Sequence, residues 1–390
     1  TPVRSKNPIV ETDYFTDEEL NAVVDVMKSA RIRRGSVTLE YEKLIAEKLN
    51  VKHALAVTSG TTTLHIAMAA LGIGPGDEVI VTPYTFIASD TCVLEQNAIP
   101  IFADVDPVTL TLDPADVERK VTKRTKAIIP VSITGTPVNI EPIMDIAEKY
   151  NLYVVEDSAQ SVGSTYHGRY EGRYGGTVGH IGSFSTVTGK IMSTGEGGFV
   201  VTNDDDLFDK MWGFMDFGRK KSQGPASKYH WSLPCTNYRG TEFQAAVGIQ
   251  QLKRLDLMNK KRTENAHYLN EKLKDLPGIV LPPEVPYGER VFFYYVLRIL
   301  PEILGTDMLN MAIALAAEGT YNLNYLSTTR WMIPQHLEPL FVNKEGYGGT
   351  KCPFECPWYE GKVEYYKGLC PVSEKACVEV FWLASVHPLL

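Results

Sequence analysis

Lys190 is the only lysine in residues 182–198, a run of small and hydroxylated side chains that also holds five glycines. A primary amine on a loop of this kind, set between two apolar segments, suits covalent chemistry with a carbonyl. It reacts only where its surroundings remove water and lower its pKa. The hydroxyls around it, Ser185 among them, suit a phosphate. An ordinary exposed lysine beside a glycine turn would read the same way, so the run alone leaves both open. It is expected to be a loop, followed by a strand at 199–202 that Asn203-Asp204 closes.

Three other places combine reactive residue types with a position where α/β folds bind ligands. A strand-like run at 51–57 leads into Thr58-Ser59-Gly60-Thr61 and a helical pattern at 62–71. Strand, small hydroxylated loop and helix together aim backbone N–H groups at an anion. No Gly-Lys-Ser/Thr ending is present, so this is not a P-loop, and a plain Ser/Thr N-cap remains the alternative. A strand at 78–81 ends in Pro83-Tyr84-Thr85-Phe86, whose aromatics can stack on a planar ring or simply cap the core. A third strand, 152–155, ends in Glu156-Asp157-Ser158-Ala159-Gln160. Asp157 stands where a carboxylate can meet a ligand cation, although a lone aspartate at such a point is also a common turn residue.

The elements that must position these residues alternate strand and helix from about 51 to 160, which argues a mainly parallel, right-handed α/β layer. Before it, Thr16-Asp17-Glu18-Glu19 opens one helix and a second amphipathic stretch covers 39–49, with Arg31, Arg33 and Arg34 between them. Those arginines can grip an anion or form a solvated basic turn. After the lysine run come a helix near 206–213, a long polar stretch at 217–237 with Lys220, Lys221, His230 and Trp231, and a helix introduced by Thr241-Glu242. That helix continues through 253–270 toward a second domain, where 291–297 reads as a core strand and 308–318 as a helix. The division expected is a large domain over 1–255 and a smaller C-terminal α+β domain over 256–390.

With 390 residues, ordinary apolar content and a net charge of −8, the chain has the bulk properties of a globular enzyme. The charge disfavours nucleic acid and anionic membranes as partners. No apolar run approaches the ~18–20 residues of a membrane span, and the start lacks a signal-peptide pattern, so a cytoplasmic location is expected. Six cysteines are too few for a disulfide framework. Cys352, Cys356 and Cys370 lack a fourth partner at zinc spacing and are expected as buried free thiols.

Seven segments stand in one order: TSGTTTLHIA, GDEVIVTPYTFIAS, ADVDPVTLTLDP, RTKAIIPV, VVEDSAQSVGS, FSTVTGKIMSTGEGG and NYRGTEFQAAVGIQQL. Together they resemble the DegT/DnrJ/EryC1/StrS family of sugar and cyclitol aminotransferases, over about residues 8–255. The resemblance implies the type I fold of pyridoxal 5′-phosphate (PLP) enzymes and PLP as cofactor. By position it makes Lys190 the lysine that holds PLP covalently and shuttles the proton, and Asp157 the partner of the pyridine nitrogen. Gln160 matches the hydrogen-bond partner of the ring hydroxyl and Phe86 the aromatic stacked on the ring. Gly60, Thr61 and Ser185 match the phosphate cradle. Asn237 matches an asparagine that reaches the phosphate of the other subunit, which implies a homodimer with shared sites.

The chain departs from the family pattern at Thr186, Val187 and Gly189, and at Ser132 and Thr134, where bulkier or imidazole side chains are usual. These positions imply an unusually small or apolar substrate pocket. The lysine itself favours transamination over sugar dehydration, since dehydratases of the family carry histidine there. The resemblance thus implies transfer of an amino group from glutamate or glutamine to a keto-sugar, nucleotide-linked or free, or to a keto-cyclitol, by a ping-pong route. A nucleotide diphosphate would need basic contacts, for which Arg33, Arg34, Lys220, Lys221 and Arg239 are candidates. Two other readings differ in class: a regulatory PLP-binding relative, and a desulfurase-like enzyme using Cys235.

Overall fold

The computed structural model describes residues 15–219, 234–318 and 333–383. Two helices open it, α1 (Asp17–Ser29) and α2 (Ser36–Leu49). Then follow β1 (His53–Val57), α3 (Gly60–Ala70), β2 (Glu78–Val81), α4 (Ala88–Glu95), β3 (Ile99–Phe102), α5 (Pro114–Lys120), β4 (Thr125–Ile128), α6 (Ile140–Tyr150) and β5 (Tyr153–Asp157). A two-residue strand β6 (Thr165–Tyr166), then β7 (Ile181–Ser185), β8 (Gly198–Thr202), α7 (Asp205–Met215) and the long α8 (Glu242–Leu273) complete this part. Seven strands form one sheet in the order β1-β8-β7-β5-β4-β2-β3. All pairings from β7 to β3 are parallel, and only β8 runs against its two neighbours.

Burial explains the composition of these strands. β2, β7 and β8 are buried along their whole length because helices cover both faces. The first residues of the lysine run therefore belong to a strand rather than the expected loop: Gly182 and Ser183 lie in β7. Their small size has a packing cause, since a Cβ on Gly182 would collide with the carbonyl of Gly176. Buried polar groups on the sheet are satisfied locally. Glu156 accepts the Tyr166 hydroxyl at 2.7 Å and the N–H groups of Gly176, Val178 and Gly179 at 2.8, 2.7 and 2.6 Å.

Residue 255 falls inside α8, which runs unbroken into a smaller body built on β9 (Ile279–Val280), β11 (Tyr295–Ile299) and β12 (Val380–Leu383), with helix α9 (Met308–Ala317). These three strands form an antiparallel sheet in the order β12-β11-β9. Strand β10 (Gly288–Glu289) instead pairs with β6. Residues 291–294 are not part of the core strand that their apolar run predicts. Phe292 has φ 47°, and the segment docks on the turn at 133–136 through Val291 N–H to Gly135 O at 3.0 Å and Tyr294 N–H to Thr134 O at 3.3 Å. Tertiary contact has overridden strand propensity here.

The chain then returns to the large sheet. Tyr359 donates to buried Glu78 at 2.9 Å, and Tyr365 to the carbonyl of Pro100 at 2.8 Å. Gln335 donates twice there, its N–H to Pro83 O at 2.9 Å and its side-chain amide to Thr85 O at 3.0 Å. It thereby pins the turn that presents Phe86. In this region Cys352 and Cys356 are joined in a disulfide, against the free thiols expected; a turn brings their Cα atoms to 4.9 Å. Cys370 is free and buried. Among the described residues no helix is long and apolar enough to cross a membrane.

Candidate active site

The register of the sheet gathers the candidate residues on one edge. Gly198, the first residue of reversed β8, pairs with both Val57 at the end of β1 and Ser185 at the end of β7. The turn into α3 and the turn out of β7 are thus neighbours although 125 positions separate Gly60 from Ser185 in the sequence. Their contact is close: a Cβ on Gly60 would stand 2.6 Å from that of Ser185, so only glycine fits. A second tie joins Thr63 Oγ1 to Ser183 Oγ at 2.6 Å.

Four N–H groups at a helix start have no partner within the helix. In α3, Ser59 takes two of them, Thr62 N–H on its hydroxyl at 3.1 Å and Thr63 N–H on its carbonyl at 3.2 Å. Those of Gly60 and Thr61 have no acceptor among the described residues, and Ser185 packs against Gly60. The N-cap reading holds, since Ser59 caps the helix, and the two preceding donors are of the kind that meet an anion at a helix start.

Asp157 ends β5 and is buried. Its carboxylate accepts from Ser89 Oγ at 2.7 Å and from Ala159 N–H at 3.1 Å. Burial still pushes its pKa up, and the nearby Lys190 cation pulls it back. A cation bound against it would complete the compensation.

Lys190 sits at the tip of a tightly laced hairpin. Thr186 N–H reaches Gly197 O at 2.9 Å, Thr188 N–H reaches Gly195 O at 2.7 Å, and Lys190 N–H closes a turn on Val187 O at 3.0 Å. Gly189 and Gly195 take φ values of 93° and 86°, which a side chain would strain. Fully buried Met192 and nearly buried Ile191 anchor the far side. The Lys190 ammonium lies 5.0 Å from the centre of the Phe293 ring. Desolvation brings its pKa down to about 8, partly opposed by the attraction of Asp157. Such an amine is a usable nucleophile and proton carrier near neutral pH.

Gln160 is buried and accepts the N–H of Thr134 at 2.7 Å, which leaves its amide NH2 free of that bond to donate elsewhere. Phe86 keeps 44% of its surface exposed, an unusual state for an aromatic at a strand end and one that a planar ring would relieve. Tyr84, its companion in the sequence reading, is a core residue: it is 4% exposed and accepts the Trp382 indole N–H at 2.9 Å.

Asn237 is exposed and, among the described residues, forms a β-bridge with Asp216. Of the proposed basic contacts, Arg34 is committed to Glu42 through two bonds of 2.6 and 2.7 Å, and Arg239 to Asp216. They hold the fold rather than offering a free cation. Arg33 is exposed, and Lys220 and Lys221, with His230 and Trp231, lie outside the described residues. Sequence reading missed Ser89 and Phe293. Ser89 had a local signal, three positions after Phe86 on a helix start; Phe293 had none, because its place depends on docking over 100 residues away.

An exposed aromatic, a buried carboxylate, open N–H groups at a helix start and a lysine of lowered pKa on a type I α/β scaffold suit a PLP-dependent enzyme. The residues fit the cofactor on their own geometry: Gly60 admits no Cβ, and Asp157 calls for a cation. The chain belongs to the DegT/DnrJ/EryC1/StrS aminotransferase family, whose model matches residues 13–390. It is 42% identical to GDP-perosamine synthase of Caulobacter vibrioides over 68% of this chain and 70% of that one. It is 33% identical to a protein of Streptoalloteichus tenebrarius proposed to be an L-glutamine:3-amino-2,3-dideoxy-scyllo-inosose aminotransferase, over 82% and 77%. The solved aminotransferase from Psychrobacter cryohalolentis superposes with a TM-score of 0.82 at 32% identity, covering 96% of this chain and 93% of that one. The chain is a PLP-dependent aminotransferase.

Proposed function

We propose that the protein moves an amino group from glutamate or glutamine to a keto-sugar, nucleotide-linked or free, or to a keto-cyclitol, in two half-reactions at one site. The observation that carries this is the pairing of Lys190, an amine with a pKa of about 8, with buried Asp157 near the start of α3. PLP, when bound, supplies an electron sink for the carbon that loses its proton. Gly60, Thr61 and Ser185 hold its phosphate, Phe86 covers one face of its ring, Gln160 donates to its hydroxyl, and Asp157 keeps its ring nitrogen protonated. Lys190 holds the cofactor covalently between turnovers and, once displaced, carries the proton to and from the reacting carbon in both halves. The acceptor classes follow from the relatives, one named for a GDP-linked sugar and the other for a cyclitol.

Asn237 of the partner subunit completes the phosphate site in a homodimer. Its exposure in the single chain is consistent with that role, as are the exposed apolar side chains Leu20, Met27 and Ile32 at 61%, 64% and 48%. The test is a substrate screen of the purified holoenzyme. Glutamate and glutamine are each tried, followed by a nucleotide-linked keto-sugar or a keto-cyclitol, with absorbance of the cofactor recorded. Conversion by one donor and return by one acceptor is expected. No spectral change with any donor would sink the proposal.

A further inference from the structure

Asp157 is held at both oxygens. Oδ1 accepts from Ala159 N–H at 3.1 Å, a bond made by its own turn, whereas Oδ2 accepts from Ser89 Oγ at 2.7 Å, a bond that comes from the start of α4. A hydroxyl has one proton to give, and a charged carboxylate only accepts. Ser89 therefore spends its proton on Asp157. The hydroxyl of Thr85 lies 2.9 Å from that of Ser89, so in this contact Thr85 must be the donor. The three side chains form a directed chain, Thr85 to Ser89 to Asp157.

The chain has no other evident use. Helix α4 begins after Ile87 with no side-chain cap, so the Ser/Thr pair at its start is not spent on capping. Among the described residues Ser89 is the one hydrogen-bond partner of the Thr85 hydroxyl. Ser89 is 1% exposed, which keeps water from replacing either bond. The far end is fixed as well: Gln335 donates its side-chain amide to Thr85 O at 3.0 Å and its N–H to Pro83 O at 2.9 Å. Two other titratable groups act near the carboxylate. Lys190 favours its charged form, while the neighbouring Asp90 is pushed toward its protonated form by burial and by the charge of Asp157.

We propose that Thr85 is a positioning residue for Asp157, aiming the Ser89 proton at the carboxylate that meets the cofactor's ring nitrogen. The proposal rests on the role given to Asp157 above. A proton between a carboxylate and a pyridine nitrogen goes to whichever holds it better. Burial strengthens the hold of Asp157, and each hydrogen bond to its oxygens weakens it. An aimed Ser89 proton thus leaves the shared proton on the ring, where the electron sink needs it. A Ser89 hydroxyl released by Thr85 can rotate away, and the proton then moves toward Asp157.

The experiment loads wild type and variants with PLP isotopically labelled at the ring nitrogen, whose chemical shift reports whether that atom carries a proton. The wild type should show a protonated ring at neutral pH. In Thr85→Val the ratio of unprotonated to protonated ring should rise about tenfold, the worth of one hydrogen bond. Its kcat should fall about as far with substrate KM values within about threefold. Thr85→Ser, which keeps the hydroxyl, should restore the wild-type signal, and Thr85→Ala, which lacks it and adds no bulk, should match Thr85→Val. Ser89→Ala should shift the ratio at least as much, and adding Thr85→Val to it should change nothing further, because Thr85 acts only through Ser89. A wild-type ring signal in both Thr85→Val and Thr85→Ala overturns the assignment, as do effects that add in the double variant. An unprotonated ring in the wild type would instead refute the role of Asp157 on which the inference rests.

Discussion

The reactivity of Lys190 can be measured before any substrate is known. Its pKa falls from an ordinary 10.5 to about 8, with burial as the main cause. At pH 7 the neutral fraction of the amine is then about 300-fold larger than for an ordinary lysine. The assay is competitive labelling of cofactor-free protein with trace acetic anhydride across pH 6–11, with each lysine peptide quantified by mass spectrometry. Lys43 and Lys362, whose side chains are 74% and 85% exposed, serve as references. Absolute rates mix access with basicity, and the half-buried Lys190 is less accessible. The midpoint of the pH profile is free of that factor. It should lie near 8 for Lys190. In Asp157→Asn it should drop further, because the aspartate's charge favours the ammonium form. A Lys190 midpoint above 10, or one that Asp157→Asn leaves unmoved, would refute both the desolvation and the pairing.

Other perturbations test the supports of the site. Gly60→Ala puts a Cβ 2.6 Å from that of Ser185, and equilibrium dialysis should show cofactor affinity reduced tenfold or more. Glu242 caps α2 from outside, accepting the N–H groups of Gly35, Val37 and Thr38 at 2.8, 3.0 and 2.8 Å. Glu242→Gln should cost about 2–3 kcal/mol in urea unfolding at pH 7. Its hydrogen bonds outweigh burial and lower the carboxyl pKa, so this stabilisation is present above the ordinary carboxylate range and lost in acid. The gap between wild type and variant should therefore narrow as pH falls. Asp90 is fully buried with both oxygens unpartnered, and burial first, then the charge of Asp157, raises its pKa. Such a group stabilises the fold only while protonated, so its contribution fades as pH rises. The melting temperature of Asp90→Asn relative to wild type should increase from pH 5 to pH 8, and a constant difference would contradict this.

What could be read in the sequence was whatever local chemistry enforces. Thr58-Ser59-Gly60-Thr61 announces a helix start because capping hydroxyls and a glycine have few other uses in that order, and α3 begins there. Asp157 was legible as a strand-end carboxylate since parallel strands put ligands at that end. What stayed hidden depends on contacts across long separations. The reversal of β8 sets Ser185 against Gly60, yet nothing in its own residues distinguishes a reversed strand from a parallel one. Residues 291–294 have strand-forming side chains but give up the ladder to dock on the 133–136 turn. Cys352 and Cys356 pair because a turn folds them together, and C-x₃-C spacing alone does not say whether it does.

The same docking explains how a loop with so many glycines can hold a catalytic amine in place. Glycine-rich segments lose more conformational entropy on ordering than others, so residues 186–197 need external restraint. Part of it is internal, from the paired threonines and the buried Ile191 and Met192. Another part comes from α8, where Arg262 donates to Ile191 O at 3.4 Å and Gln251 accepts from Ser193 N–H at 3.3 Å. Phe293 adds a wall that removes water from the amine while its π-face tolerates the cation. Rigidity and desolvation thus come from different elements. Phe293→Ala should raise the labelling midpoint of Lys190 toward that of ordinary lysines while leaving the hairpin folded. Gln251→Ala should do the reverse, loosening the hairpin, seen as faster amide exchange at Ser193, with a smaller change in the midpoint. If both variants moved both readouts together, the two functions would share one support and the separation drawn from these contacts would be wrong.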